Sequence, residues 1–301
     1  MRIGIFGGIS NTGTVDDAVD AARSAEADGF AAYWEPNIFG HDALTLLAVI
    51  GREVPRIALG TAVVPTYPRH PAAIAQQAGT VNAVSGGRLT LGIGLSHQIV
   101  IEGMYGMDFS KPVRHMREYL SVLLPLSRGE AADFDGEEYH GHLALSPIGG
   151  MPYGVVLAAL GPQMLHLAGS VADGTLTWCT GAETLRSYVL PTINAAAESA
   201  GRAVPRVIAG LGVAVTDDVA GTHERAAHVF QIYGQLPSYR AMLDREGAAS
   251  AADVMIIGSA AEVTDKVGEL VEMGVTDLAT VEVGATPDDR AATRDILRQF
   301  F

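Results

Sequence analysis

The stretch Arg88-Leu89-Thr90-Leu91-Gly92-Ile93-Gly94-Leu95-Ser96-His97 decides the fold of this 301-residue chain. It begins as an apolar run with strand character and ends in two glycines, a serine and a histidine. Glycine inside a strand weakens it and allows another group to approach the backbone closely. We therefore interpret this stretch as a strand that ends at a ligand.

The pair Gly92 and Gly94 also matches the first part of the glycine fingerprint of dinucleotide-binding folds. That fingerprint requires a third glycine three residues later, at the start of a helix. Here His97 occupies that position, and the strand is the fourth of the chain rather than the first. A dinucleotide-binding fold is therefore the weaker interpretation.

Short apolar strands alternate with helical patterns along the whole chain, which indicates βα units around a parallel sheet. Eight such strands in this length predict an α/β fold, a (β/α)8 TIM barrel, as a single domain over residues 1–301. Insertions are expected after strand four (98–146, with a helix at 112–126 and a hairpin at 134–145) and after strand seven (231–254). The predicted strands are 2–6, 30–34, 57–64, 88–95, 155–160, 175–178, 207–215 and 278–283.

Composition excludes several classes of protein. Hydrophobic residues make up 48% of the chain, yet no run of about 20 apolar residues predicts a membrane span. The net charge of −14 argues against a nucleic-acid partner, which normally requires a basic face. One cysteine, Cys179, excludes an intramolecular disulfide. The first residues have strand rather than signal-peptide character, so we expect a cytoplasmic protein without a membrane partner.

Active sites of (β/α)8 barrels lie at the carboxyl ends of the strands. Those ends therefore supply the candidate residues: Gly7-Gly8-Ile9-Ser10, Trp34-Glu35-Pro36-Asn37, Thr61-Ala62-Val63-Val64-Pro65-Thr66, Gly94-Leu95-Ser96-His97, Ala158-Ala159-Leu160-Gly161-Pro162-Gln163 and Thr177-Trp178-Cys179-Thr180. Cys179 has no paired base in the sequence pattern, so we do not expect a nucleophile there. His140 and His142 have metal-like spacing but no accompanying ligand cluster, so we expect a polar hairpin and no metal site.

Several of these segments together resemble the bacterial-luciferase-like superfamily, and within it the oxidoreductases that use coenzyme F420 (8-hydroxy-5-deazaflavin). The segments are Leu59-Gly60-Thr61-Ala62-Val63-Val64-Pro65, His70-Pro71-Ala72, Gly86-Gly87-Arg88-Leu89, Gly92-Ile93-Gly94, Gly161-Pro162 and Ala172-Asp173-Gly174. The resemblance implies a cis peptide bond between Ala62 and Val63, in a bulge against the middle ring of the cofactor. It implies that 94–97 contact that ring and that 160–163 and the end of strand six receive the phosphate-bearing tail.

The expected cofactor-binding residues are Trp34, Thr61, Ala62, Val63, Gly94, Leu95, Ser96, His97, Leu160, Gly161, Pro162, Gln163, Thr177 and Trp178. Trp34 is included because aromatic residues at a barrel mouth also wall flavin sites, although core packing explains it equally well. Many relatives carry an acidic residue or serine followed by histidine at the end of strand two. This chain departs from that pattern, so the catalytic candidates are Glu35, Asn37 and His97, with His41 or the substrate as other sources of a proton.

The resemblance implies an oxidoreductase that transfers a hydride between the deazaflavin and a small organic substrate. Two alternatives remain: an FMN-dependent monooxygenase on the same fold, and a flavin-binding relative without activity, because a fold does not guarantee a reaction. Relatives often pair through their second and third helices, here about 43–52 and 72–83, so we expect a homodimer. The cofactor brings the hydride chemistry, and the protein positions it.

Overall fold

The computed structural model of the chain describes residues 1–7, 13–147, 149 and 152–301. The strands in these residues are β1 (Arg2–Phe6), β2 (Ala32–Glu35), β3 (Ala58–Thr61), β4 (Val64–Pro65), β5 (Leu89–Gly94), β6 (Ala132–Asp135), β7 (His140–Leu143), β8 (Gly154–Ala158), β9 (Gly174–Trp178), β10 (Arg206–Val215), β11 (Ile256–Gly258) and β12 (Asp277–Glu282).

The helices in the same residues are α1 (Val15–Ala27), α2 (Ala43–Glu53), α3 (Pro71–Val84), α4 (Gln98–Ile101), α5 (Pro112–Ser127), α6 (Pro162–Val171), α7 (Ala182–Thr184), α8 (Leu190–Ser199), α9 (Val219–Val229), α10 (Pro237–Glu246), α11 (Ala260–Glu272) and α12 (Pro287–Leu297). Short 3₁₀ and π turns extend or join some of them, at Leu185–Val189, Gln231–Gln235, Ala251–Val254 and Arg298–Phe300. No helix in the described ranges combines the length and the apolar character that crossing a bilayer requires.

Eight parallel strands form a closed barrel in the order β1, β2, β3, β5, β8, β9, β10 and β12. Pairing of Ile3 with Leu278 joins β1 to β12 and closes it. β4 continues β3 beyond a bulge and pairs with β5, and β11 pairs with the end of β10. The predicted barrel is confirmed, and each of its eight strands corresponds to a predicted one.

Both predicted insertions are present. The first contains α5 and an antiparallel hairpin of β6 and β7, close to the predicted helix and hairpin. The hairpin histidines pair with carboxylates of the opposite strand, His142 with Asp133 and His140 with Asp135. The second insertion contains α10 and two 3₁₀ turns between β10 and β11.

Alternate residues of each strand face the two sides of the barrel wall, because side chains alternate along a strand. The inner side chains form a small apolar cluster that includes Trp34, Val156, Leu176 and Ile208. The outer side chains pack against the surrounding helices in the main core. Trp34 lies so close to β3 that a Cβ at Gly60 would stand 2.2 Å from its ring. Glycine at position 60 therefore makes room for the indole inside the barrel.

Side chains cap the first turn of several helices. Thr14 and Asp17 form a capping box at α1, and Ser259 and Glu262 form one at α11. Such caps satisfy backbone N–H groups that have no partner within the helix. Gly274, just beyond α11, has a φ of +96°, a value that glycine adopts without strain.

The amino-terminal end of the barrel is closed by a polar network. Arg206 at the start of β10 donates to both carboxylate oxygens of Asp277 at the start of β12, at 2.7 and 3.3 Å. It also donates to the hydroxyl of Thr90 across the barrel at 3.1 Å, and Thr276 donates to Asp277 at 2.8 Å. Asp277 is only 2% exposed, so these bonds replace the water that its carboxylate loses on folding.

Candidate functional site

The bulge between β3 and β4 is built against the glycines of β5. The peptide bond between Ala62 and Val63 is cis, as expected. The Thr61 hydroxyl donates to the Gly92 carbonyl at 2.7 Å and accepts from the Gly92 N–H at 2.8 Å. A Cβ at Gly92 would lie 2.1 Å from the Thr61 carbonyl oxygen, and one at Gly94 would lie 2.8 Å from Val63. The absence of side chains at these two glycines therefore makes room for the neighbouring bulge rather than for a ligand.

The fourth strand of the barrel, β5, is followed by a turn that directs His97 toward the second insertion. Ser96 has a φ of +62°, an uncommon left-handed conformation for a residue other than glycine. His97 precedes the first residue of the short helix α4 without a side-chain capping bond, and its half-buried ring lies 5.7 Å from the ring of Tyr239 on α10. Burial lowers the pKa of His97, so the imidazole is neutral at neutral pH. A neutral imidazole offers one donor and one acceptor nitrogen.

Six aromatic rings follow one another around the carboxyl end of the barrel, and we call them the aromatic arc. Its ring-centroid distances run from 4.9 Å, between Tyr233 and Tyr239, to 6.2 Å, between Phe230 and Tyr233. Adjacent rings at these distances stabilise one another beyond their burial. The members are Phe6, Trp178, Phe230, Tyr233, Tyr239 and His97.

The arc unites two predicted site residues, His97 and Trp178, with four that sequence reasoning missed. Phe6 is the last residue of β1. Phe230, Tyr233 and Tyr239 follow β10, the seventh strand of the barrel, in a region without a recognisable motif. The insertion 231–254 contains only two aromatic residues, Tyr233 and Tyr239, so the sequence carries no local signal for the arc, which forms because the barrel brings this insertion beside β5. The Trp178 indole nitrogen is buried and makes no hydrogen bond of normal geometry within the described residues. It lies near the Tyr233 hydroxyl, because an interaction with Trp178 opposes the rise in the pKa of Tyr233 that burial causes.

Glu35 lies in a different environment, behind the barrel wall. It is 4% exposed and lines a cavity of about 410 Å³ between β1, β2, α1 and α12, together with Tyr33, His41 and Arg290. One of its carboxylate oxygens has no hydrogen-bond partner among the described residues. Burial raises the pKa of Glu35 to about 7, while the nearby Tyr33 hydroxyl opposes this shift. The side chain therefore titrates near neutral pH.

The other polar residues after strand two hold local structure. The Asn37 side-chain oxygen accepts from the Ala43 N–H at the start of α2, at 3.1 Å, and from Arg69 at 3.5 Å. The His41 ring lies 3.2 Å from the Gly13 carbonyl oxygen. The three catalytic candidates thus occupy three environments: His97 in the arc, Glu35 behind β2, and Asn37 at a helix start.

The start of α6 fits the expected binding of an anion. No described side chain caps this helix, and Pro162 occupies its first turn. A Cβ at Gly161 would meet no described atom within 4 Å, so the space before the helix is open. Free N–H groups at a helix start attract phosphate groups. Of the remaining candidates, Trp34 fills the barrel interior, and the Thr61 hydroxyl is occupied by Gly92.

A second cavity of about 540 Å³ opens beside the bulge, between the segment after β4 and the first insertion. Buried His115 stacks on Tyr67 at 3.8 Å and lies 2.9 Å from the Thr66 hydroxyl. Burial lowers the pKa of His115 to about 4, so this ring is uncharged at neutral pH. The cavity wall carries as many carboxylates (Asp108, Glu137 and Glu138) as Lys and Arg residues (Arg69, Lys111 and Arg114).

Comparison with known proteins identifies the family to which this geometry belongs. The family model of luciferase-like monooxygenases matches residues 1–277. The chain belongs to the luciferase-like monooxygenase family. A 5,10-methylenetetrahydromethanopterin reductase of Methanolobus tindarius is 30% identical over 274 residues, which cover 89% of this chain and 82% of that protein. The predicted superfamily is thus confirmed.

Two further proteins resemble the chain. An F420-dependent glucose-6-phosphate dehydrogenase of Mycolicibacterium fortuitum is 33% identical over 176 residues, so the match spans about half of each chain. The solved structure of the coenzyme F420-dependent tetrahydromethanopterin reductase of Methanopyrus kandleri superposes with a TM-score of 0.83. That match covers 99% of this chain and 97% of the other at 22% identity, which supports the fold. The expectation of an oxidoreductase enzyme is also confirmed.

Proposed function

We propose that this enzyme binds coenzyme F420 at the carboxyl end of its barrel and transfers a hydride between the cofactor and a small organic substrate. The observation that carries the proposal is the close fit of the bulge between β3 and β4 against Gly92 and Gly94 of β5, at the same end of the barrel as the uncapped helix start at Gly161. Relatives named as F420-dependent support the choice of cofactor.

The residues present fit such a cofactor. The bulge residues Ala62 and Val63 and the turn 94–97 would bind the ring, because they form one surface at the ends of β3 and β5. The open start of α6 at Gly161 would hold the phosphate-bearing tail, since its first N–H groups are not capped by a described side chain. The Thr177 hydroxyl is buried without a described partner, but its side chain faces the opposite side of β9 from Trp178, because side chains alternate along a strand. When bound, the reduced deazaflavin supplies a hydride.

The chain's own residues supply the proton chemistry and the exclusion of water. We assign proton exchange with the substrate to His97, because its neutral ring can donate through one nitrogen and accept through the other. The arc beside it packs Tyr233 and Tyr239 over the same edge and limits access of water. We do not assign this proton exchange to the other two catalytic candidates. Glu35 faces the cavity behind β2, and Asn37 is bonded at the start of α2.

An FMN-dependent monooxygenase is the second candidate function, since the family model is named for monooxygenases. Fluorescence titration of the purified protein with F420 and with FMN separates the two. We expect tighter binding of F420, followed by reduction or oxidation of the bound cofactor when substrate is added. Tighter binding of FMN would favour the monooxygenase, and binding without turnover of any substrate would favour a silent flavin-binding relative.

We also propose that residues 1–301 act as one domain, that the protein is cytoplasmic, and that it forms a homodimer through α2 and α3. Both helices bury most of their apolar residues within the chain, but Val49 and Val84 remain exposed on their outer faces. Light scattering at micromolar concentration tests the dimer, and a monomeric mass would contradict it.

A further inference from the structure

The loops that follow β2, β5 and β10 expose large apolar side chains around the barrel mouth, and we call six of them the apolar rim. Among the described residues, every exposed isoleucine and methionine lies on these three loops. Exposed apolar groups concentrated in one place mark sites of contact with a ligand or partner. The rim consists of Ile38, Phe39, Ile99, Met104, Tyr105 and Ile232.

Three of the cations near the rim are already paired within the chain, whereas Arg290, in the cavity beside Glu35, has no ion pair among the described residues. Arg69 pairs with Asp42, and Arg114 pairs with Glu137. Arg240 donates to Asp244 and to two carbonyl oxygens after α10. Hydrogen bonds from Ser110 lower the pKa of Asp108, and the nearby charge of Lys111 adds to this shift. A phosphate or carboxylate entering here would have to break one of these pairs or lie next to their carboxylates.

The inner wall of the mouth offers few polar groups, and they are uncharged at neutral pH. The arc presents the Tyr233 and Tyr239 hydroxyls, the neutral His97 ring and the indole N–H of Trp178, which lies near the Tyr233 hydroxyl. Burial raises the pKa of Tyr239, so its hydroxyl remains protonated. Such groups orient one carbonyl or hydroxyl of a ligand, while the rings contact its apolar body.

We infer that the substrate is an uncharged molecule with an apolar or aromatic body and a single polar group, and not a phosphorylated or otherwise multiply charged metabolite. This inference rests on the proposed function, because it assigns the apolar rim and the arc to the substrate side of the same site. Two members of the rim adjoin the arc: Ile232 lies in the 3₁₀ turn that carries Tyr233, and Ile99 lies on the short helix α4, which follows His97. This continuity with the proposed site favours a substrate over a second protein as the occupant of the rim.

Calorimetric titration of the F420-loaded enzyme tests the substrate class. The probes are cyclohexanone, 1-indanone and benzophenone as neutral molecules of increasing size, and glucose 6-phosphate as the charged one. We expect at least one neutral probe to bind and glucose 6-phosphate not to bind at the same concentration. Binding of glucose 6-phosphate alone, or of no neutral probe, would overturn the inference. The cofactor titration precedes this step, so failure to bind F420 is recognised separately as failure of the proposed function.

Variants of the apolar rim locate the bound probe. Phe39 and Ile99 are 61% and 62% exposed, so Phe39→Ser and Ile99→Ser remove apolar surface without opening the core. We expect each to weaken binding of the neutral probe about fivefold to tenfold and to leave F420 affinity unchanged. Val204→Ser is the matched control, since Val204 is 80% exposed just before β10, at the opposite end of the barrel.

Two results would contradict this location. Unchanged probe affinity in both rim variants would remove the rim from the substrate site. A change in molecular mass by light scattering in Phe39→Ser or Ile99→Ser, with no change in Val204→Ser, would assign the rim to contact between copies of the chain.

Discussion

The two ends of the barrel differ in how well their buried polar atoms are hydrogen-bonded. At the amino-terminal end, Asp277 and Arg206 satisfy each other and the neighbouring threonines. Near the carboxyl end, one oxygen of Glu35, behind the barrel wall, is buried without a described partner, and the Trp178 indole nitrogen makes no hydrogen bond of normal geometry to a described residue. Unpaired buried polar groups reduce stability, so a fold retains them where they serve a ligand or a reaction. We therefore assign stability to the amino-terminal end of the barrel and function to the carboxyl end.

The largest effect is expected from breaking the network at the stable end. Arg206→Met would leave the Asp277 carboxylate buried without its main partner. We expect the free energy of unfolding to fall by about 3 kcal/mol, at the lower limit for buried pairs because Arg206 is partly exposed and Arg2 lies 3.7 Å from Asp277. Chemical denaturation measures this loss.

The matched control is Arg23→Met, which removes an exposed ion pair with Asp20 and should change stability by less than about 0.5 kcal/mol. Cofactor affinity should remain unchanged in Arg206→Met. An equal loss in both variants, or a weakened cofactor site in Arg206→Met, would contradict the division of roles between the two ends.

A smaller effect, of opposite sign, is expected from Glu35. Its folded pKa of about 7 lies above the ordinary value of 4.5, so the folded state holds an extra proton between these values. Its contribution is therefore most favourable below pH 4.5 and is lost as the pH rises through 7. Glu35→Gln should increase stability at pH 8 by about 2 kcal/mol, because the new amide stays unpaired, and should flatten the fall in stability between pH 5 and 8.

Denaturation of Glu35→Gln at several pH values measures this effect. An unchanged pH dependence would show that the carboxyl group is hydrated in solution. If Glu35 also serves catalysis, the same variant lowers turnover with little change in cofactor affinity. Full turnover would limit its role to the cavity behind β2.

The smallest effect on free energy is expected at the arc. His97→Ala removes the neutral imidazole from the end of strand four, and we expect cofactor binding or turnover to fall by about tenfold. That factor corresponds to about 1.4 kcal/mol. His166→Ala, an exposed histidine on α6, is the control and should behave as the unmodified enzyme. Near-native kinetics in His97→Ala would remove this residue from the chemistry.

Sequence reasoning predicted the barrel more completely than the site. Strand positions follow from apolar runs, and capping residues such as Ser259 and Glu262 act over three residues, so both are readable locally. The arc joins Phe6 to Tyr239 across most of the chain, and no local pattern predicts which rings meet. The side of the wall that Glu35 faces depends on strand register, since a shift by one residue reverses it. Gly8–Ser10, also proposed from strand one, lie outside the described residues.

A crystal structure of the enzyme with bound F420 tests the central claim most directly. We expect the cofactor to lie at the carboxyl end of the barrel. Its ring should contact Val63 and the turn 94–97, and its phosphate group should lie at the start of α6. The amino-terminal network of Arg206 and Asp277 should be unchanged in the same crystal. A cofactor bound in the cavity beside Glu35, or in the one beside His115, would contradict the account.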